Sequence, residues 1–346
     1  MSTPDPLPEH APKAPTELAD GDPPPDPTHE IDDRSVEAQG MGIKARSQSE
    51  LVRRRFFRHR AAMTALVVLV AIIVLAFSSI GFGPVPGWWK YTYYTTSPLL
   101  GGPTLDLVPW FDGDGLAWGE HPFGQDTIGK DYFALTMRGA QQSLIIAFAV
   151  GFISTIIGTF VGAVAGYFRG KSESVLMRFT DVMITIPTLV FAAVVGKRYG
   201  AEGILVLALV LGLITWMGLA RIVRGEFLSL REKDFVEAAR ALGAGPWRII
   251  FRHILPNTVG VIIVATTLAI AQAILLETAL SFLGLGVRPP DTSLGALISD
   301  YQQAILTRPW LFWWPGLFIV AIALAVNFIG DGLRDAYDPR QQRVRS

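Results

Sequence analysis

Few residues of this 346-residue chain could do covalent or metal chemistry, and their spacing argues against most of it. Gly170-Lys171-Ser172 has the ending of a phosphate-binding loop. That loop needs a glycine where this chain has Ala165, and a strand where this chain has an apolar run. The histidines (His10, His29, His59, His121, His253) form no H-x-x-x-H pair, and cysteine is absent. Disulfides, thiolate metal sites and a cysteine nucleophile are therefore excluded, and a histidine metal centre is disfavoured. Nucleophile-elbow and triad signatures are missing too, so no catalytic, cofactor-binding or metal-ligating residue is assigned. Two acids stand near the ends of long apolar segments, Glu277 on the outer side and Asp331 on the inner. Ionisable groups at membrane depth are costly and are functional candidates by default. Water, or a base such as Arg334, gives them an equally simple structural reading.

A second kind of chemistry is docking. From Arg231 to Asn257 the chain reads REKDFVEAARALGAGPWRIIFRHILPN, a basic loop between two apolar segments. Asp234 is placed to cap a short helix over Phe235–Leu242, with Phe235, Ala239 and Leu242 on one face and Glu237 and Arg240 elsewhere. Gly243 suits the left-handed residue that ends it, and Pro246 suits the first turn of a second helix carrying Arg248 and Arg252. Pro256-Asn257 is expected to close that second helix. Such a helix–turn–helix could receive a push from a cytoplasmic partner, or could simply lie on anionic lipid.

The elements that position these residues are membrane spans. Half of the residues are hydrophobic and only 17% are charged, which is too apolar for a soluble domain of this size. Six runs approach the roughly 20 residues that a bilayer core requires. They are Ala61–Ile80, Ser143–Phe168, Val182–Gly196, Ile204–Val223, Thr258–Leu276 and Trp313–Gly332. In the third, Ile186-Pro187 implies a kink. Lys and Arg concentrate in the connections after the second, fourth and sixth runs, so both ends are expected inside, N-in and C-in. The expected fold is thus an all-α integral membrane protein with six transmembrane helices, an interfacial N-terminal helix and cytoplasmic coupling helices.

Residues 1–45 are rich in Pro, Asp and Glu and are expected to form a disordered cytoplasmic tail, with no cleaved signal ahead of them. Residues 46–60 combine Leu51, Val52, Phe56 and Phe57 with Arg53, Arg54, Arg55, Arg58 and Arg60, as an interfacial amphipathic helix or as a positive stop that fixes orientation. The spans fall within residues 61–340, with an outer loop over about 81–138 and the docking loop over about 224–257. Trp88, Trp89, Tyr91, Tyr93, Tyr94, Trp110 and Trp118 mark the outer loop as a headgroup belt or as a cap on an outer mouth. Gly158, Gly162 and Gly166 form a stripe on which another helix can pack closely.

Glu237-Ala238-Ala239, three residues, Gly243, nine residues and then His253-Ile254-Leu255-Pro256 resembles the EAA loop of ABC-importer permeases. His253 stands where the usual pattern has isoleucine, and Arg252–Asn257 is similar to the form seen in the peptide-transport branch. HPFGQDTIGKDYFALTMRGAQQSL from His121, ETALSFLGLGVRPP from Glu277 and NFIGDGLRDAYDPR from Asn327 look like the second permease of the dipeptide/oligopeptide/nickel transporters. The resemblance runs from about residue 46 to 343. It implies a second homologous permease, two cytoplasmic ATPases that bind ATP and Mg, and an extracytoplasmic substrate-binding protein, with no nucleic acid and no cofactor in this chain. It also implies that Glu237, Ala238, Ala239, Arg240 and Gly243 touch an ATPase, that Leu255-Pro256 sets the next span, and that the whole imports peptides through a bacterial cytoplasmic membrane. The alternative is a secondary transporter or channel needing no ATPase.

Overall fold

The computed structural model describes residues 48–99, 102–104, 119–199 and 202–337. The acidic tail, Trp110, Trp118 and the bases from Arg340 onward lie outside the described residues. Helix α1 (Gln48–Arg58) runs into α2 (Arg60–Ser79), with His59 between them accepting the Ala62 N–H at 3.1 Å. A two-stranded hairpin follows, Gly81–Phe82 against Val85–Pro86. The remaining helices are α3 (Tyr132–Phe168), α4 (Gly170–Thr185), α5 (Thr188–Tyr199), α6 (Ile204–Leu213), α7 (Met217–Leu230), α8 (Asp234–Ala241), α9 (Pro246–Ile249), α10 (Leu255–Phe282), α11 (Leu294–Tyr301) and α12 (Trp310–Tyr337).

Helix α3 is the axis of the bundle, packing against α7, α10, α6 and α2. Its glycine stripe explains the closest of these contacts. A β-carbon on Gly158 would lie 2.9 Å from the Trp216 carbonyl oxygen, one on Gly162 2.5 Å from that of Ala220, and one on Gly166 2.9 Å from that of Arg224. Only hydrogen in place of a side chain lets the α7 backbone come so near. Helix α12 closes the other side against α10 and α2, and α1 lies along its C-terminal end, where Gly332 faces Ala62, His59 and Phe56. The arginine-rich helix thus packs Phe56 on protein, while Phe57 stays exposed.

Two expectations change, and the kink expected at Ile186-Pro187 is present. Helix α3 begins at Tyr132, so Arg138 belongs to a helix and the connection before it ends at Asp131, not at about residue 138. Asp131 explains the start, since its carboxylate accepts the Ala134 N–H at 2.7 Å as an N-cap. The third apolar run is split between α4 and α5, bent by 81° at Ile186-Pro187, because proline removes a helical donor and clashes with the preceding turn. The fourth is split between α6 and α7, bent by 45° over Ile214–Trp216. Among the described residues, four helices are long and apolar enough to cross a membrane on their own, or up to six if each bent pair is one span.

Candidate functional site

The docking loop departs from its expected form at the N-terminal end of α8. Lys233, not Asp234, occupies the N-cap and makes no side-chain cap bond, while Asp234 is the first helical residue, where its charge still favours the N-terminal dipole. The buried face is Val236 and Ala239, whereas Phe235 is exposed and Leu242 is 89% exposed. Gly243 has φ +80°, the left-handed stop that only glycine adopts freely, and its N–H bonds the Arg240 carbonyl at 3.0 Å.

Pro256 does not close the second helix. Residues Pro246–Phe282 form one 37-residue helical rod, made of α9, a π-helical turn over Ile250–Ile254, and α10. The π turn is the physical reason. Pro256 lacks an N–H and its ring would press on the Arg252 carbonyl, and a wider turn just before it relieves that contact. The Leu255 N–H bonds the Ile250 carbonyl across the turn.

Val236 of α8 joins Ile249, Ile250 and Ile254 of the rod, Val223 and Phe227 of α7, and Ala163 and Tyr167 of α3 in one buried cluster. Ion pairs fix its rim: Arg224 to Glu173, Arg221 to Asp181, and Arg169 to Glu232 at 3.1 Å, while Arg231 donates to the Tyr167 carbonyl. The loop is therefore part of the bundle core. What it turns outward is Glu237, Ala238, Arg240, Phe235 and Leu242 on α8, with Arg248 and Trp247 beside them. Ala239 faces the core, Leu255 is half-buried against it, and Pro256 is exposed.

Glu277 and Asp331 are not brought together. Asp331 is exposed on α12, and the residue one turn on, Asp335, approaches His59 at 3.5 Å. Glu277 is fully buried near the C-terminal end of α10, where it accepts from Ser143 at 2.9 Å and Ser281 at 2.7 Å. Ser143 in turn accepts the Leu294 N–H at 3.3 Å, so the carboxylate ties α3, α10 and the start of α11.

A second buried network, ahead of α3, escapes sequence reasoning. His121 Nδ1 lies 2.7 Å from the Asp131 carboxylate, both nearly inaccessible, and the Trp89 indole donates to the same carboxylate at 3.0 Å. Gln125 reaches the other ring nitrogen at 3.2 Å, and Tyr91 stacks on the ring at 4.5 Å. This arrangement pins the segment before α3. The available signal was the spacing of His121, Gln125 and Asp131, which by itself reads as ordinary loop chemistry.

With this geometry in place, comparison with known proteins decides the family. The profile described as "Binding-protein-dependent transport system inner membrane component" matches residues 158–343. The chain belongs to that family. Residues 47–101 of this inner membrane component also match the "N-terminal TM domain of oligopeptide transport permease C". It is 38% identical to the "Oligopeptide transport system permease protein OppC" of Haemophilus influenzae over 304 residues, 87% of this chain and 92% of that one. It is equally similar to the protein of that name from Mycobacterium tuberculosis, over 86% of this chain and 97% of that one. A chain of the "MetNI methionine ABC transporter" superposes at TM-score 0.49 and 19% identity, over 59% of this chain and 97% of that one. The component is a multi-pass membrane protein and an ABC-importer permease.

Proposed function

We propose that this chain is the second permease of an oligopeptide importer in a bacterial cytoplasmic membrane. It has six spans with both ends inside, each bent pair counting as one. It works beside a homologous permease, two ATPases that hold ATP and Mg, and an external binding protein. The observation that carries the reading is the attachment of α8: a short helix sunk by Val236 and Ala239 into the core, yet offering Glu237, Arg240, Phe235 and Leu242 outward. Bare exposed leucine and phenylalanine at a cytoplasmic surface ask for a protein groove. Because the same core includes α3, α7 and the rod, movement of a partner held on α8 reaches the spans directly. Alternating access follows if that movement biases two packings of the bundle.

The nearby charges fit this role better than a covalent one. Glu237 and Arg240 are solvated and suited to matching charges on a partner, whose contribution is chiefly to orientation and rate of docking. Gly243→Asp tests it. A β-carbon there meets nothing within 4 Å, so the expected local cost is only the left-handed backbone penalty, about 1 kcal/mol. The variant should insert normally, lose the ATPases on co-purification and lose uptake. Normal ATPase association together with normal uptake would refute the docking role. Uptake by the permease in vesicles without any ATPase would refute the importer reading itself.

A further inference from the structure

Both bent pairs turn at the same cavity. A hollow of about 420 Å³ lies where the α4–α5 break, the α6–α7 break and the middle of α10 meet. Ile184 and Thr188 border it from the first break, Thr215 and Met217 from the second, and Gln272 and Leu276 from the rod. Gln272 is exposed ten residues before the end of α10 at Phe282, well inside an apolar helix. Among the described residues neither its amide nor the exposed Thr188 hydroxyl has a hydrogen-bond partner, while Thr215 bonds back to the Leu211 carbonyl at 3.0 Å.

Lipid cannot satisfy such groups. Interrupted helices at membrane depth persist where the freed backbone lines water or protein, and the same holds for an unpartnered amide. A packed helix interface in this chain looks different, as the α3–α7 contact shows, with glycines and carbonyls in near contact and no hollow. The cavity also carries no charged residue. Its polar groups are one amide and two hydroxyls on apolar walls, suited to the N–H and C=O groups of an extended peptide and indifferent to side-chain charge.

We propose that this hollow is a peptide-backbone subsite on the transport path, with Gln272 and Thr188 as its contact residues and the two helix breaks as its walls. The inference rests on the importer reading and adds where, and through which groups, the cargo is held.

The chain has no cysteine, so single replacements can be labelled on it without background. Thr188→Cys, which is nearly isosteric, and Gln272→Cys are each placed in the complete reconstituted transporter and exposed to a charged, membrane-impermeant thiol reagent. Val74→Cys, on the exposed face of α2, is the lipid-facing control. A thiolate forms only where water reaches, so both cavity positions should react on the order of tenfold faster than the control. Ala-Lys-Ala-Ala and Ala-Glu-Ala-Ala, supplied with binding protein and ATP, should slow both reactions alike. Two silent positions in the complex that react in the isolated chain would make the hollow an interface with the second permease and overturn the proposal. Reaction unaffected by either peptide, or slowed by only one, would overturn it as well. ATPase co-purification, scored on the same samples, separates these outcomes from failure of the importer reading.

Discussion

Single residues in this chain act mainly through what they leave room for. Gly162 is the clearest case: a side chain there would meet the Ala220 carbonyl at 2.5 Å and Val223 at 2.8 Å, and neither a backbone nor a β-branched residue gives way easily. Gly162→Leu should separate α3 from α7 and cost about 1–3 kcal/mol, read as a lower detergent melting temperature with membrane insertion kept. Gly316, with nothing near its missing side chain, is the control and should tolerate Ala. Charge is the other residue-scale lever. Partial burial raises the Asp300 carboxyl above its ordinary value, so the folded state holds that proton more tightly than the unfolded one. Its contribution to stability is therefore most favourable at low pH and is lost as pH rises through the carboxylate range. Asp300→Asn should flatten the acid-side pH dependence of thermal stability, measured between the ordinary carboxylate range and neutrality. The stripe of Gly158, Gly162 and Gly166 was legible because four-residue spacing on a helix is a local property. His121 with Asp131 was not, because nothing in a loop sequence says which way its side chains turn.

At the scale of elements, what determined success was whether a boundary is set by its own residues. Gly243 and Pro187 mark their breaks in any context, and both stand where a stop and a kink were expected. The start of α3 depends on a cap, Asp131, whose role emerges only when the residues after it, Tyr132–Met137 and Gly139–Gln142, are buried, although several of them are polar. Pro256 misled for a related reason, since a proline normally ends a helix and here the turn before it widens instead. Phe235 and Leu242 of the expected apolar face are exposed, but Ala239 turns with Val236 into the core, a choice made by α7 and the rod rather than by the periodicity of eight residues. Element-scale stability should be most visible at α11. Glu277→Ala strands Ser143 and Ser281 in a buried site and should cost about 1–3 kcal/mol, with proteolytic exposure of residues 283–301. Glu277→Gln keeps an acceptor for one serine and a donor for the other, and should recover most of the melting temperature.

For the whole molecule, the segment that follows α8 and the Glu277 carboxylate share one piece of secondary structure. At 1.5 Å per residue, the 37 residues from Pro246 to Phe282 span about 55 Å, more than the thickness of a hydrocarbon core. Glu277 is near one end of this rod and α8 is tethered to the other. The π turn at Ile250–Ile254 then has a meaning beyond accommodating Pro256, because a π turn is an α-helix that contains one surplus residue. It carries that residue while keeping the rotational phase between the two ends close to that of an unbroken α-helix one residue shorter. Deleting one residue from the regular part of the rod, Ile263 for instance, meets no such slack and would swing everything before it by about 100° around the rod axis. Glu237, Arg240 and Leu242 would keep their identities and their helix, yet face a different compass bearing. Such a deletion should leave the C-terminal part of the rod and its Glu277 bonds intact, while abolishing ATPase co-purification; angular register is thus encoded separately from the contact residues themselves.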